Sequence, residues 1–121
     1  MPGSVYRAFP GGNIAAAPVK FADVNGLAVG SGATVYTPSS GKKFNLLAFS
    51  VSASAGASLL LEEVGTTTKT VYRTPVLAAN TPYTFSLGDI GYRSTQANAT
   101  LRVTSSAAAS ITGTFHMGND C

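Results

Sequence analysis

Apolar residues along this chain come in short runs separated by clusters of Gly, Ser, Pro and Asn. Two runs are the strongest, Phe44–Ala53 and Ala57–Val64. Each has the length of a strand and stops short of the ten or twelve residues of an ordinary helix. In the first run Asn45, Leu47, Phe49, Val51 and Ala53 share one face, and Phe44, Leu46, Ala48, Ser50 and Ser52 share the other. The first face is apolar nearly throughout and the second only at its start. The pattern therefore predicts a central strand whose odd-numbered residues point into the core, buried on one side throughout and on both sides for its first half, where a further segment lies over it. Ser54-Ala55-Gly56 is a short connection bearing a glycine, and it predicts that the two runs form a β-hairpin.

Upstream, Val19–Val24 reads as a short strand closed by Asn25-Gly26, a strong turn signal because both residues tolerate positive φ. Leu27–Val29 and Ala33–Thr37 are brief strands on either side of Gly30-Ser31-Gly32. Downstream, Lys69–Leu77 is rich in β-formers, but Pro75 has no N–H for a ladder. It marks an edge strand, or a strand ending near Thr74. Tyr83, Phe85 and Leu87 alternate with Thr84 and Ser86, and Gly88–Arg93 reads as a loop anchored by Ile90 and Tyr92. Thr100–Thr104 and Ser110–Met117 alternate again, with Ser105–Ala109 as the turn between them. Seven or eight short strands joined by short turns predict an all-β, antiparallel sandwich or small barrel. Its expected core is Val35, Leu47, Phe49, Val51, Leu59, Leu61, Val71, Phe85, Leu87, Leu101, Val103, Ile111 and Phe115.

Residues 1–18 hold Pro2, Pro10 and Pro18 along with three glycines, so they have little capacity for a ladder of their own. They nevertheless carry Val5, Tyr6, Phe9 and Ile14. The expectation is an extended N-terminal arm that packs on the body or on a neighbouring subunit, ahead of a single domain over residues 19–121. A frayed terminus is the plainer alternative.

Composition agrees with the pattern. Thr, Val, Tyr and Phe are plentiful, and an apolar fraction of 45% with a net charge of +3 is not that of a disordered chain. Charged residues make up only 11%, against about 25% in an average soluble protein. So sparse a charge suggests a surface that partners cover. The eight Lys and Arg are scattered and only Lys42 and Lys43 are adjacent, so there is no basic stripe of the kind nucleic acid demands. No run has the length of a membrane span, and the N-terminus lacks the apolar core of a secretory signal, which implies synthesis in a cytoplasm.

Candidate chemistry is thin. His116 is the single histidine, and with one cysteine a zinc site of the usual kind cannot be built within one chain. Only three copies of His116 meeting on a trimer axis would supply one; an exposed strand residue is the plainer expectation. Glu62 and Glu63 are adjacent on a strand, hence on opposite faces, and read as strand-end solubility and edge protection. Asp23, Asp89 and Asp120 are isolated, and no calcium-loop pattern joins them. The Gly-rich stretches open no helix that would cradle a phosphate. Asn98-Ala99-Thr100 matches a glycosylation sequon, by chance if the chain is not secreted. Cys121 is an exposed thiol or a bond to a neighbouring subunit. Lys42 and Lys43 serve either as edge gatekeepers or as contacts to an acidic protein surface. Neither a cofactor nor enzymatic activity is expected.

Three stretches look familiar together: GATVYTPSSGKKFNLLAFSVSASAGASLLLEE, LAANTPYTFSL and ATLRVTSSAAASITGTFHM. Over residues 32–117 the chain resembles small β-sandwich virion proteins of tailed phages, most of all capsid decoration, or cement, proteins. That resemblance implies a jelly-roll-like domain, often trimeric, seated on the outer capsid surface and locking capsomers together. The implied partners are the major capsid protein and further copies of the chain, with neither nucleic acid nor membrane involved. The implied location is the virion exterior. Residues 1–31 fall outside the resemblance. The candidate interface residues are Val5, Tyr6, Phe9, Ile14, Lys42 and Lys43. The competing expectation is a tail or fibre module that binds a carbohydrate or receptor. That role calls for several of Tyr6, Tyr36, Tyr72, Tyr83 and Tyr92 on one exposed loop end.

Overall fold

A computed structural model describes the backbone of residues 4–9 and 11–12 and the whole of residues 20–88 and 90–121. The described chain is all β, with no helix. β1 (Ser4–Phe9) and β2 (Gly11–Gly12) pair with each other, Ala8 opposite Gly12. The body holds β3 (Lys20–Ala28), β4 (Ala33–Tyr36), β5 (Asn45–Ala53), β6 (Leu59–Val64) and β7 (Thr68–Arg73). It continues with β8 (Tyr83–Ser86), β9 (Tyr92–Arg93), β10 (Thr100–Ser105) and β11 (Ser110–Met117).

These nine strands make two antiparallel sheets. One runs β3-β11-β5-β8 with the short β9 also on β5, and the other runs β4-β10-β6-β7. The pairs β3–β11, β4–β10, β5–β8 and β6–β7 are nested one inside the next. A long antiparallel ribbon rolled up on itself gives this order, and it is the order of a jelly-roll sandwich. Between the sheets lie Phe44, Leu46, Phe49, Val51, Leu59, Leu61, Leu101, Val103, Ile111, Phe115 and Met117, all essentially inaccessible to water. Fully burying a large apolar side chain contributes about 1.5–3 kcal/mol, so these positions dominate the stability. Phe49 is the hub, with the rings of Tyr72, Tyr83, Phe85 and Phe115 all about 6 Å from it. Val35, Val71, Phe85 and Leu87 are half-buried at the margins of this cluster.

Four expectations are corrected. First, Ser54–Ser58 does not close a hairpin: β5 lies in one sheet and β6 in the other, so the connection arches across the core. A Gly-bearing turn serves a hairpin or an arch equally well, and both strands need one apolar face in either case. The true hairpin is β6–β7, closed by the polar Gly65–Thr67.

Second, Leu47 is half-exposed and Leu46 is buried. Ala48 lies opposite His116 but Leu46 lies opposite Met117, so Leu47 is an extra residue on β5. A bulge of this kind reverses the side-chain alternation. It turns Phe44 and Leu46 inward along with Phe49, Val51 and Ala53. That reversal is why both faces of the run start apolar.

Third, Asn25-Gly26 does not end a strand. β3 runs through it with Val24 opposite Gly113 and Leu27 opposite Ile111, so the dipeptide is a bulge. Gly26 takes φ +66 there, and its N–H donates to Thr112 Oγ1 at 3.0 Å. Positive φ is what the Asn-Gly signal encodes, and a bulge in an edge strand uses it as readily as a turn. Fourth, Ile90 anchors nothing and is 82% exposed, whereas Tyr92 pairs with Leu46 as part of β9.

Candidate functional site

The sandwich has two unlike ends. At the proximal end β3, β5 and β9 lie near their starts, and β4, β6 and β11 finish. At the distal end lie Gly30–Gly32, Ser54–Ser58 and Ser105–Ala109, none of which carries a charged side chain.

Two carboxylates organise the proximal end. Glu63, at the end of β6, is completely buried and has no cationic partner among the described residues. Its Oε1 accepts from Tyr92 Oη at 2.7 Å and from the Thr95 N–H at 2.9 Å. Its Oε2 accepts from Thr95 Oγ1 at 2.8 Å, the Gln96 N–H at 3.1 Å and Gln96 Nε2 at 2.7 Å. Burial alone would raise its pKa. Donation from the Thr95 backbone, Tyr92, Gln96 and the Thr95 hydroxyl outweighs burial and holds it at about 2. Burial, together with the same bond from Tyr92 to Glu63, pushes Tyr92 up to about 12. Glu63 is thus the clasp that fastens residues 92–96 to β6, not strand-end solubility. Its neighbour Glu62 points to the opposite face and pairs with Arg102 at 2.9 Å.

Asp120 is the second. Its Oδ1 accepts from Tyr36 Oη at 2.6 Å, its Oδ2 accepts from the Ser39 N–H at 2.8 Å, and Lys20 Nζ stands 3.5 Å away. Lys20 also donates to Tyr36 Oη at 2.8 Å. Burial would raise the Asp120 pKa, but the bonds from Tyr36 and Ser39 win and lower it. This clamp ties the start of β3 to the end of β4 and to the final residues. Both carboxylates are saturated with donors, so neither is poised to move a proton. Among the described residues no three of His, Cys, Asp and Glu stand together to hold a metal.

Lys42 and Lys43 sit on the same end on a tightly held backbone. The Lys42 N–H donates to Ser39 O at 2.9 Å and its carbonyl accepts from the Asn98 N–H at 2.8 Å. Lys43 and Cys121 exchange backbone bonds of 3.3 and 3.0 Å. Asn98, of the chance sequon, is in the left-handed region at φ 66, and its Oδ1 accepts from the Gly41 N–H at 2.6 Å. Cys121 is exposed and unpaired in the single chain. Val5, Tyr6, Phe9 and Ile14, the other candidate interface side chains, lie outside the described residues, as does Asp89.

The outward face of the five-stranded sheet is a separate surface. Directly opposed residues form the rows Asp23–Thr114–Ser50–Thr84 and Phe21–His116–Ala48–Ser86. Thr114 donates to Asp23 at 2.8 Å, and the Ser50 and Thr84 hydroxyls are 2.9 Å apart. Phe21, 61% exposed, meets the edge of His116 with ring centroids 5.0 Å apart. His116 therefore lies on the polar face, opposite buried Phe115 and Met117.

The four tyrosines with described side chains do not form one exposed cluster; Tyr6 lies outside the described side chains. Tyr36 is held by Asp120 and Tyr92 by Glu63. Tyr72 and Tyr83 share a hydroxyl contact of 2.8 Å at the β7/β8 side, half-buried against Phe49. Sequence reasoning missed the Glu63 clasp and the Asp120 clamp. The available signal was an acid directly following the buried Leu59/Leu61 alternation, which placed Glu63 on the inward face. Comparison with models of known protein families, with curated proteins and with solved structures gave no match.

Proposed function

We propose that this chain is a structural virion protein, a capsid decoration protein that binds the outer capsid surface and stabilises contacts between capsomers. The observation that carries this reading is the outward face of the five-stranded sheet. Its two cross-strand rows hold Ser, Thr, Ala, one Phe–His pair and a single carboxylate. A broad layer of small, nearly uncharged side chains packs against a neighbour without stranding buried charge. Copies of this chain are the neighbours assigned to that face, in keeping with a homotrimer, and the major capsid protein is the partner beyond them. The jelly roll is shared by viral capsid and lectin domains, and it supports the reading by analogy of fold. The tail or fibre alternative gains nothing comparable, because the four described tyrosine side chains are engaged with Asp120, with Glu63 and with each other.

Co-sedimentation with expanded capsids tests the proposal. Saturable binding, with a rise in the temperature at which capsids come apart, is expected. Protein that stays in the supernatant at every capsid concentration overturns it. Deleting residues 2–18 should leave a cooperatively unfolding domain that binds capsids weakly, if Val5, Tyr6, Phe9 and Ile14 dock as proposed.

A further inference from the structure

The two ends of the sandwich differ in charge. Lys42, Lys43, Lys69 and Arg93 belong to three places on the proximal end. Lys42 and Lys43 precede β5, Lys69 lies opposite Glu63, and Arg93 lies opposite Asn45. None of the four makes an ion pair among the described residues, whereas Lys20 and Arg102 do. Among the described residues the acids of this end are withdrawn: Glu63 is fully buried and the Asp120 side chain is 7% exposed. The distal loops carry no charge of either sign. Arg73, opposite Leu60, is the one cation near that end among the described residues. The sandwich therefore presents a rim of four cations at one end and a small-residue surface with a single cation at the other.

The rim is rigid as well as charged. The backbone at Lys42 and Lys43 is held on both sides by Ser39, Asn98 and Cys121, and Arg93 is joined to β5. Cations carried on a held backbone do not add the cost of ordering a loop when they meet a partner. β3 begins at this same end, at Lys20, so residues 1–19 lead into the body there.

We infer that the proximal end is the docking end, and that it fits an acidic protein surface, with the distal end facing away into solvent. The inference rests on the decoration reading and specifies the geometry and charge of that contact. A protein partner suits the rim better than nucleic acid does. Single strands are bound on exposed aromatic platforms and duplexes along a basic stripe. Here Tyr36 and Tyr92 are tied to Asp120 and Glu63, Phe44 is buried, and the one exposed ring, Phe21, is engaged by the edge of His116 on the outward sheet face, so the described residues offer no run of free aromatic platforms.

Two experiments separate this inference from the decoration reading. In the first, the full chain is titrated with poly-L-glutamate, with duplex DNA as a parallel probe. Binding to the polypeptide should weaken by about tenfold or more between about 50 mM and about 500 mM salt. The Lys42→Glu, Lys43→Glu, Lys69→Glu, Arg93→Glu variant should lose at least about tenfold at the lower salt, with its thermal unfolding checked in parallel. A Lys/Arg→Gln set at the same positions, which removes charge without reversing it, should lose less. Unchanged binding by both sets, or a preference of the wild-type chain for DNA, overturns the inference. In the second, a short peptide is inserted between Ala107 and Ala108 at the distal end, and the chain is sedimented with expanded capsids. Binding as in the wild type is expected, while the charge-reversed variant stays in the supernatant. Capsid binding that survives charge reversal but fails on distal insertion overturns the inference and leaves the decoration reading standing. Failure of the wild-type chain to bind capsids removes the decoration reading, and the poly-L-glutamate titration still decides the charge of the docking end.

Discussion

Replacing Glu63 by Gln removes one charge from the interior and changes almost no volume, so it isolates what the carboxylate does. Two oxygens accept five bonds, and three of these fall on Oε2. A glutamine has one acceptor oxygen and turns an NH2 group toward donors on the other side, leaving buried donors facing a donor. The ionisation of Glu63 gives the magnitude. Its pKa falls from an ordinary 4.5 to about 2 on folding, which corresponds to about 3 kcal/mol of stability. A group with a depressed folded pKa contributes fully above its unfolded pKa and loses its contribution as pH falls through the folded one. That stabilisation is therefore complete at pH 7 and disappears between about pH 4.5 and about pH 2. Urea unfolding of both proteins across this range is the assay. At neutral pH, Glu63→Gln should lower the midpoint by about 2 M, taking an m-value of about 1.5 kcal/mol/M. The gap should close as the pH approaches 2, because the wild-type carboxyl is then protonated too. Asp120 titrates in both proteins and cancels in the difference. Equal midpoints at pH 7, or a gap that persists unchanged into acid, would refute the clasp.

The bulge at Leu47 sets two neighbouring leucines against each other. Leu46→Ala should cost about 2–5 kcal/mol and Leu47→Ala clearly less, and equal losses in chemical denaturation would put the bulge elsewhere. Gly113 lies where β11 crosses β5; an added Cβ there would overlap the Ser50 carbonyl and come within 2.7 Å of Val51 Cα. Gly113→Ala should cost about 1–3 kcal/mol or more, and a thermal midpoint like the wild type's would contradict so close an approach. Tyr36→Phe removes the hydroxyl that donates to Asp120 and accepts from Lys20. It should cost about 1 kcal/mol and bring the Asp120 carboxyl back up toward its ordinary pKa, a change that NMR titration reads directly.

The strands and their apolar faces were legible because burial imposes a period of two. Leu59, Leu61, Leu101, Val103, Ile111 and Phe115 follow it without interruption and are all buried. The period fails where the ladder itself is irregular. At Leu47 and at Asn25-Gly26 one strand carries an extra residue, and alternation read through such a point places every residue beyond it on the wrong face. The sequence did hold a trace of the first bulge, since Phe44 and Leu46 are too apolar for an outward face beside Ser50 and Ser52. Which sheet a strand joins is a longer-range matter. Gly65–Thr67 closes a hairpin and Ser54–Ser58 an arch, and the difference lies in the nesting of β3–β11 and β4–β10 around them, not in the turn residues.

The proximal end was the least legible part, for a related reason. Glu63 occupies an inward position at the strand's end, where the sandwich core gives way to residues 92–96. An inward carboxylate is costly until donors reach it, and these donors come from 29 to 33 residues further along the chain. Asp120 meets Tyr36 across 84 residues. No local pattern links such partners, so each acid reads as isolated until the fold brings the donors in. The consequence reaches the surface. Drawing two carboxylates inward leaves Lys42, Lys43, Lys69 and Arg93 without nearby exposed acids at that end among the described residues. A chain whose cations look scattered along the sequence thereby becomes a body with most of its free described cations at one end, Arg73 being the exception near the other. The interior bonds that stabilise the loops at that end are the same ones that set its charge.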